Sequence, residues 1–443
     1  MTMAGAIQAA TVPEARRIGR LSTASWVLYD LANTCFSLGV VTLYFPGIIQ
    51  YGFGYAKADV DTVVGGFDAI AAALVFVIAP ILGAISDRSP RRLPFLAVCT
   101  LLCVTATFLL GQPDKSISFA LFVTAVVCYQ AGLIFYDSLL PEVSTDENRG
   151  RIGGIGVGVG YVGSLLAFAI GSLILGGADH GSLEQYTWIF RGIAIGFLVF
   201  AIPAFLFVRE RPRVVPPMSW RVAPDAFRQV LMTARHARRY PGLGRFLLGR
   251  MFYADAANTL IFMVIVYATG SLAMTERDAK PVAVLSILAA IPAGLCWGLV
   301  VDRIGPKRTL NMILVTWMGI FALVAAIPVL GLPSVLIYPA GILVGVALAG
   351  LWASDRPLMT RLAPPRYYGE FFGLYAMVGR FGAVIGPAVW AIVAGNALNW
   401  GQPAAVMFLL VWVVIAFVIL RPVDDRPREW GPEDLPELAT EPG

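Results

Sequence analysis

Apolar residues run along this chain in stretches of about twenty or more, separated by short polar turns. To within a few residues at each boundary, they fall at 21–49, 62–85, 93–112, 117–140, 152–176 and 187–208. A second set runs at 245–270, 281–301, 309–330, 334–359, 370–395 and 404–421. At a rise of 1.5 Å per residue, a helix of such length crosses the roughly 30 Å of bilayer hydrocarbon. The pattern predicts an all-α membrane protein of twelve transmembrane helices. Between the two sets lies a polar connector rich in Arg and Pro. Within it Phe227, Val230, Leu231 and Ala234 recur at helical spacing beside Arg228, Arg235, Arg238 and Arg239. Pro224–Tyr240 is therefore expected as a short amphipathic helix on the inner membrane surface. The chain divides into residues 1–208, a first six-helix half; 209–244, a cytoplasmic linker; 245–421, a second half; and 422–443, a cytoplasmic tail. The tail is Pro- and Glu-rich, the composition of a disordered segment.

Composition agrees with this division. Of 443 residues, 58% are hydrophobic and 14% charged, against about a quarter charged in soluble domains; the mean hydropathy is +0.75. A net charge of +5 raises the question of a nucleic-acid partner, and the placement of the basic residues answers it. With the N-terminus inside, the inner loops receive Arg88, Arg91, Arg92, Arg149, Arg151, the linker arginines, Arg303, Lys307, Arg308, Arg361, Arg366 and Arg421. The outer loops receive Lys57, Lys115, Arg277 and Lys280. This is the positive-inside pattern. Basic charge orients the chain and leaves no nucleic-acid surface, so both termini are expected in the cytoplasm and the protein in the inner membrane. No separate apolar core follows Arg16, Arg17 and Arg20 to mark a cleavable signal. The cysteines (Cys35, Cys99, Cys103, Cys128, Cys296) sit in apolar stretches without a CxxC pair, and His180 and His236 stand alone. Buried thiols are the reading, and neither metal nor other cofactor is expected. No nucleotide-binding run and no nucleophile–base pair appears, which argues against ATP drive and against an enzyme.

The two sets are copies of one unit. Tyr29-Asp30-Leu31-Ala32-Asn33-Thr34 in the first stretch is matched by Tyr253, Asp255, Asn258 and Thr259 in the seventh, with Asp255 following Asp30 by 225 positions. Asp302-Arg303 follows Asp87-Arg88 by 215, and Gly373 and Gly382 follow Gly154 and Gly163 by 219. Three similar offsets in the right order mean duplication of a six-helix unit, the parallel-repeat architecture of a large class of carriers. The loop after the second stretch carries the strongest local motif, Gly83 and then Asp87-Arg88-Ser89-Pro90-Arg91-Arg92; its copy holds Gly298, Asp302, Arg303, Gly305, Lys307 and Arg308. Gly83 permits close helix approach. Asp87, and Asp302 likewise, would suit a helix N-terminus across the interface between halves, where the dipole favours negative charge. The arginines would hold the same interface or anionic headgroups. Such a latch would form and break as the halves rock; the plainer reading is a loop that only satisfies topology.

That loop resembles the signature of the major facilitator superfamily, with Ser89-Pro90 standing where a glycine is usual and Gly305 retained in the copy. A narrower resemblance covers most of the chain. Trp26 to Thr34, Phe135-Tyr136-Asp137 with Pro141-Glu142 and Arg149-Gly150-Arg151, Tyr253 to Thr259, and Glu370-Phe371-Phe372-Gly373-Leu374-Tyr375 are similar to the vacuolar effluxer branch, the autophagy-related amino-acid permeases and their bacterial relatives. Ser354-Asp355-Arg356 departs from the Ser-Arg-Ser of that pattern. The resemblance implies a monomeric major facilitator fold and efflux of a small solute, with amino acids as the named class.

Charges at membrane depth are costly and therefore candidates for function. Asp30 and Asp255 lie near the midplane at matched depth, with Asn33 and Asn258 one turn on, and Arg380 lies about as deep in the eleventh stretch. The resemblance places the first and seventh helices along the central cavity, so either aspartate would bind a proton or a substrate amine, with Arg380 a natural partner. The alternative is a fixed brace between helices. Asp68 and Asp137 read as interfacial, and Arg191 and Arg250 as helix-end residues that snorkel. The glycines of the fifth stretch and Gly382-x-x-x-Gly386-Pro387 read as packing surfaces. The leading expectation is a secondary carrier working by alternating access, proton-coupled and directed outward. A lipid or lysolipid flippase on the same fold, and a non-transporting receptor, are the rivals.

Overall fold

The computed structural model describes residues 18–178, 180–215, 240–395 and 398–436, apart from the side chains of positions 58, 61, 276 and 381–384. Six helices form the first half: α1 (Arg20–Gly52), α2 (Lys57–Asp87), α3 (Leu93–Leu109), α4 (Lys115–Ser138), α5 (Arg149–Leu175) and α6 (Leu183–Phe207). Six form the second: α7 (Leu243–Ser271), α8 (Glu276–Ile304), α9 (Pro306–Val329), α10 (Ile337–Leu362), α11 (Tyr368–Ala394) and α12 (Gln402–Leu420). Eleven are long and apolar enough to cross a membrane, and α3, at 17 residues, lies at the short limit of a span. The fold is the all-helical one expected. The amphipathic helix expected over Pro224–Tyr240 lies, except for Tyr240, outside the described residues.

Local chemistry sets the helix ends. Asp114 accepts hydrogen bonds from the amides of Ser116 and Ile117 and opens α4, and Ser182 with Gln185 forms a capping box on α6. Proline in the first two positions starts α3, α9 and α12, where its missing N–H costs nothing. Gly176, at φ 62°, closes α5. The second part of α1 widens to π-helical winding over Ser37–Tyr44 and Ile48–Gly52, on either side of Pro46, which cannot donate the regular helical bond.

Each half has its own apolar core. In the first, Trp26, Tyr29, Phe36, Phe45, Phe122, Tyr136 and Phe197 are buried, and Phe45 stacks on Phe122 at 3.5 Å. In the second, Phe246, Tyr253, Trp317, Phe321, Phe371 and Phe372 play that part. Leu173, Leu206 and Val418 are exposed, as side chains facing lipid must be. The halves meet along two seams, α2 against α11 and α5 against α8. Both seams are built on glycine. A methyl group at Gly83 would overlap the Gly369 carbonyl, one at Gly373 would overlap that of Ala79, and one at Gly154 that of Gly294. Backbone thus meets backbone, the close approach small residues allow where lipid supplies no hydrophobic drive.

The tail departs from expectation. Residues up to 436 are described, and they lie along the second half: Arg361 pairs with Asp425 at 3.6 Å, and the Tyr240 hydroxyl donates to Asp434 at 2.7 Å. Composition alone suggests disorder. Ion pairs and the aromatic contact of Trp430 with Tyr240 offset the ordering entropy.

Candidate functional site

At the end of the molecule that carries the α2–α3 and α8–α9 loops, each seam closes on a carboxylate. Asp87, the last residue of α2, accepts hydrogen bonds from the amides of Gly369 (2.9 Å) and Glu370 (2.7 Å), at the N-terminus of α11 in the other half. Asp302, near the end of α8, accepts from the amides of Gly150 (2.7 Å) and Arg151 (3.0 Å), at the N-terminus of α5. These are one contact built twice. Free N–H groups and the helix dipole both favour a carboxylate there. Gly83 is the point of closest approach beneath Asp87. Of the loop arginines, buried Arg92 donates to Asp87 Oδ1 (2.7 Å) and to the Ser138 carbonyl (3.1 Å), while Arg88 is half-buried and Arg91, Arg303 and Arg308 are exposed.

A second duplicated device supports the first. Glu210, just past α6, accepts from the amides of Arg92 (2.5 Å) and Leu93 (3.0 Å) and so caps α3. Asp425, just past α12, accepts from the Lys307 amide (3.0 Å) and caps α9. Asp425 follows Glu210 by 215 positions, the spacing of Asp302 from Asp87, within the matching runs Glu210-Arg211-Pro212-Arg213 and Asp425-Arg426-Pro427-Arg428. Arg213 reaches Asp87 Oδ1 at 3.3 Å and the Ser86 carbonyl at 3.1 Å. Burial pushes the Glu210 carboxyl above its ordinary range, with Arg92 and the two amides opposing. The same burial lowers Arg213. The repeat lay outside the apolar pattern and was not read from sequence.

Deeper in the membrane the charges form two clusters on α10. Asp355 is fully buried and serves the second half alone: it accepts from Arg250 Nε (3.0 Å), the Tyr253 hydroxyl (2.6 Å) and the Tyr375 hydroxyl (2.8 Å). The Arg250 guanidinium lies 3.4 Å from the Tyr375 ring centre. Arg250 is therefore a buried partner and not a snorkelling residue, because an acid on α10 waits for it. The next residue crosses to the other half. Arg356 donates from Nη1 to Asp30 Oδ2 (3.2 Å) and sets Nε 2.9 Å from Asp137 Oδ1. Asp137, next to last in α4, is accordingly buried and paired. Beside this triad Tyr136 is stacked on Trp26 at 4.6 Å, with Arg356 5.5 Å from the Tyr136 ring centre.

Asp255, the counterpart of Asp30, is held differently. It is buried, accepts from the Gly386 amide at 3.1 Å and has no ion pair among the described residues; its Oδ2 has no hydrogen-bond partner among them either. Gly386 leaves the room its carboxylate and the Thr259 hydroxyl occupy. Arg380 is half-buried, and among the described residues it makes no ion pair with Asp30 or Asp255. Asn33 is buried with its amide nitrogen unpartnered among the described residues, and Asn258 is half-buried. Sequence reading found Asp30 and Asp255 but missed Arg356 and Asp355, whose run was visible only as a departure from a familiar pattern.

Comparison with known proteins places this architecture. Residues 51–429 match the family described as vacuole effluxer Atg22 like. A protein of Bacillus subtilis (strain 168), an uncharacterized MFS-type transporter, YxiO, is 26% identical over 409 residues, 89% of this chain and 93% of that one. Autophagy-related protein 22-1 of Penicillium rubens is 25% identical over 302 residues, covering 63% of this chain and 50% of that longer one. In fold, the human organic anion transporter MFSD10 superposes with a TM-score of 0.69 at 16% identity, over 92% of this chain and all of that one. Duplicated halves, the loop motif and a family match over most of the length agree, and the chain belongs to the Atg22-like vacuole effluxer family of major facilitator transporters.

Proposed function

We propose that this protein is a secondary carrier that exports a small solute by alternating access, coupled to protons, with amino acids as its cargo class and both termini in the cytoplasm. The reading is carried by one observation, the twofold-related contacts of Asp87 on α11 and Asp302 on α5. A contact of that kind across two halves has to break if they rock apart at that end, so it biases the conformational equilibrium. The effluxer description of the family supports outward movement, and the resemblance of the α1, α4, α7 and α11 motifs to amino-acid permeases supports amino acids. Asp255 supports coupling: a buried carboxylate without an ion pair among the described residues is the natural place for a proton. The test is flux in liposomes holding the purified protein, with a panel of amino acids, with and without an imposed pH gradient. Accumulation of at least one against its gradient, abolished when the pH difference is collapsed, is expected. Absence of both exchange and accumulation across the panel would sink the proposal.

A further inference from the structure

Two carboxylates of the first half share one positive charge, and that charge is supplied by the second half. Asp30 of α1 and Asp137 of α4 converge on the Arg356 guanidinium, with the Tyr136 ring alongside and Trp26 stacked behind it. Two carboxylates and an aromatic face are the elements that recognise ammonium and guanidinium groups. Among the described residues no other basic side chain pairs with either carboxylate, and Arg250 is committed to Asp355. One guanidinium facing two carboxylates leaves the cluster one positive charge short.

Unused bonding capacity points the same way. Asp137 Oδ1 is buried and, although 2.9 Å from Arg356 Nε, makes no properly directed hydrogen bond. Gly156 of α5 lets that helix pack directly on Asp30 and Trp26, since a methyl group there would come within 3.1 Å of Oδ2 and 3.0 Å of the Trp26 ring. Because the two carboxylates and Arg356 belong to different halves, separating the halves withdraws Arg356 and exposes the pocket. We infer that the pocket formed by Asp30, Asp137 and Tyr136 binds a cationic group of the cargo, a primary ammonium or guanidinium, which shares the two carboxylates with Arg356 or takes its place. This rests on the carrier reading, yet binding tests it without flux.

The experiment is thermal-shift binding on the purified full-length protein, using methylguanidinium chloride against equal sodium chloride. In Arg356→Ala the vacated pocket should take the probe and the melting midpoint should rise by a few degrees, as binding to the folded state requires. The double variant Asp30→Asn/Arg356→Ala should lose that rise. No rise in a monodisperse Arg356→Ala sample overturns the inference. Should that variant fail to fold, the wild type decides: agmatine should stabilise it, and n-pentanol, of similar length but uncharged, should not. Equal responses overturn the inference. Failure of the carrier reading looks different, as binding intact with no flux of any solute in liposomes.

Discussion

A carboxylate inside a membrane persists only with a partner, and the buried aspartates solve that problem in distinct ways. Asp355 is saturated by three donors of its own half, Asp30 and Asp137 share Arg356, and Asp255 has one backbone amide. Asp255→Asn should keep substrate exchange and lose pH-driven accumulation, because the amide retains a bond to Gly386 but carries no exchangeable proton. Full accumulation by this variant would move the coupling site elsewhere. Asp30→Asn should instead lower the melting midpoint and reduce binding and flux together. Breaking a buried pair from one side costs about 3–5 kcal/mol, and Asp137, still on Arg356, keeps the loss below that range. Asp30 and Asp255 were legible because a charge stands out in an apolar run. Arg356 was not, because its partner Asp30 lies 326 positions away, and a sequence gives the depth of a residue along a helix but not its azimuth.

Between elements, the loop motif was readable as local chemistry: a glycine, then a carboxylate, at a helix end. The helix it would cap was not readable, since α11 is brought there only by the assembled halves. Asp87→Asn keeps one acceptor oxygen and loses the charge facing the helix N-terminus, worth roughly 0.3–2 kcal/mol. Accessibility at the loop end, read by labelling of cysteines placed along the cavity, should rise, with expression near normal. Asp302→Asn should act in the same direction, and unchanged accessibility and transport in the double variant would remove these contacts from the mechanism. Gly154→Val, forced against the Gly298 and Gly294 backbone, should open the same end more strongly, since nothing flexible can yield. The Glu210 cap makes a separate forecast. A buried carboxyl raised above its ordinary range stabilises most at low pH, and that contribution is lost as pH rises through the raised value. The melting-point advantage of the wild type over Glu210→Gln should therefore shrink from acidic towards neutral pH; an advantage that grows would show the two amides outweighing burial.

For the whole molecule, basic-residue asymmetry predicts the topology, and labelling tests it. Single cysteines at Lys115 and Arg277, both exposed at one end, should react with an impermeant reagent from outside, and those at Arg91 and Arg308 should not. The reverse pattern would invert the orientation. The duplication was legible at three places because offsets survive where identities fade, and the Glu210–Asp425 copy escaped because it lies in polar connectors. The ordered tail was not, because clasping contacts depend on partners in loops the sequence places far away. The glycine seams have a kinetic consequence. Two surfaces of interlocked leucines must change many rotamers to slide, and each change carries its share of side-chain entropy and a barrier. Surfaces of bare backbone have no rotamers to change. Along α2–α11 and α5–α8 the friction of motion should be low, leaving a few discrete carboxylate–amide bonds to set the dwell time in each state, so that turnover answers to single substitutions at those bonds more sharply than to the packing between them.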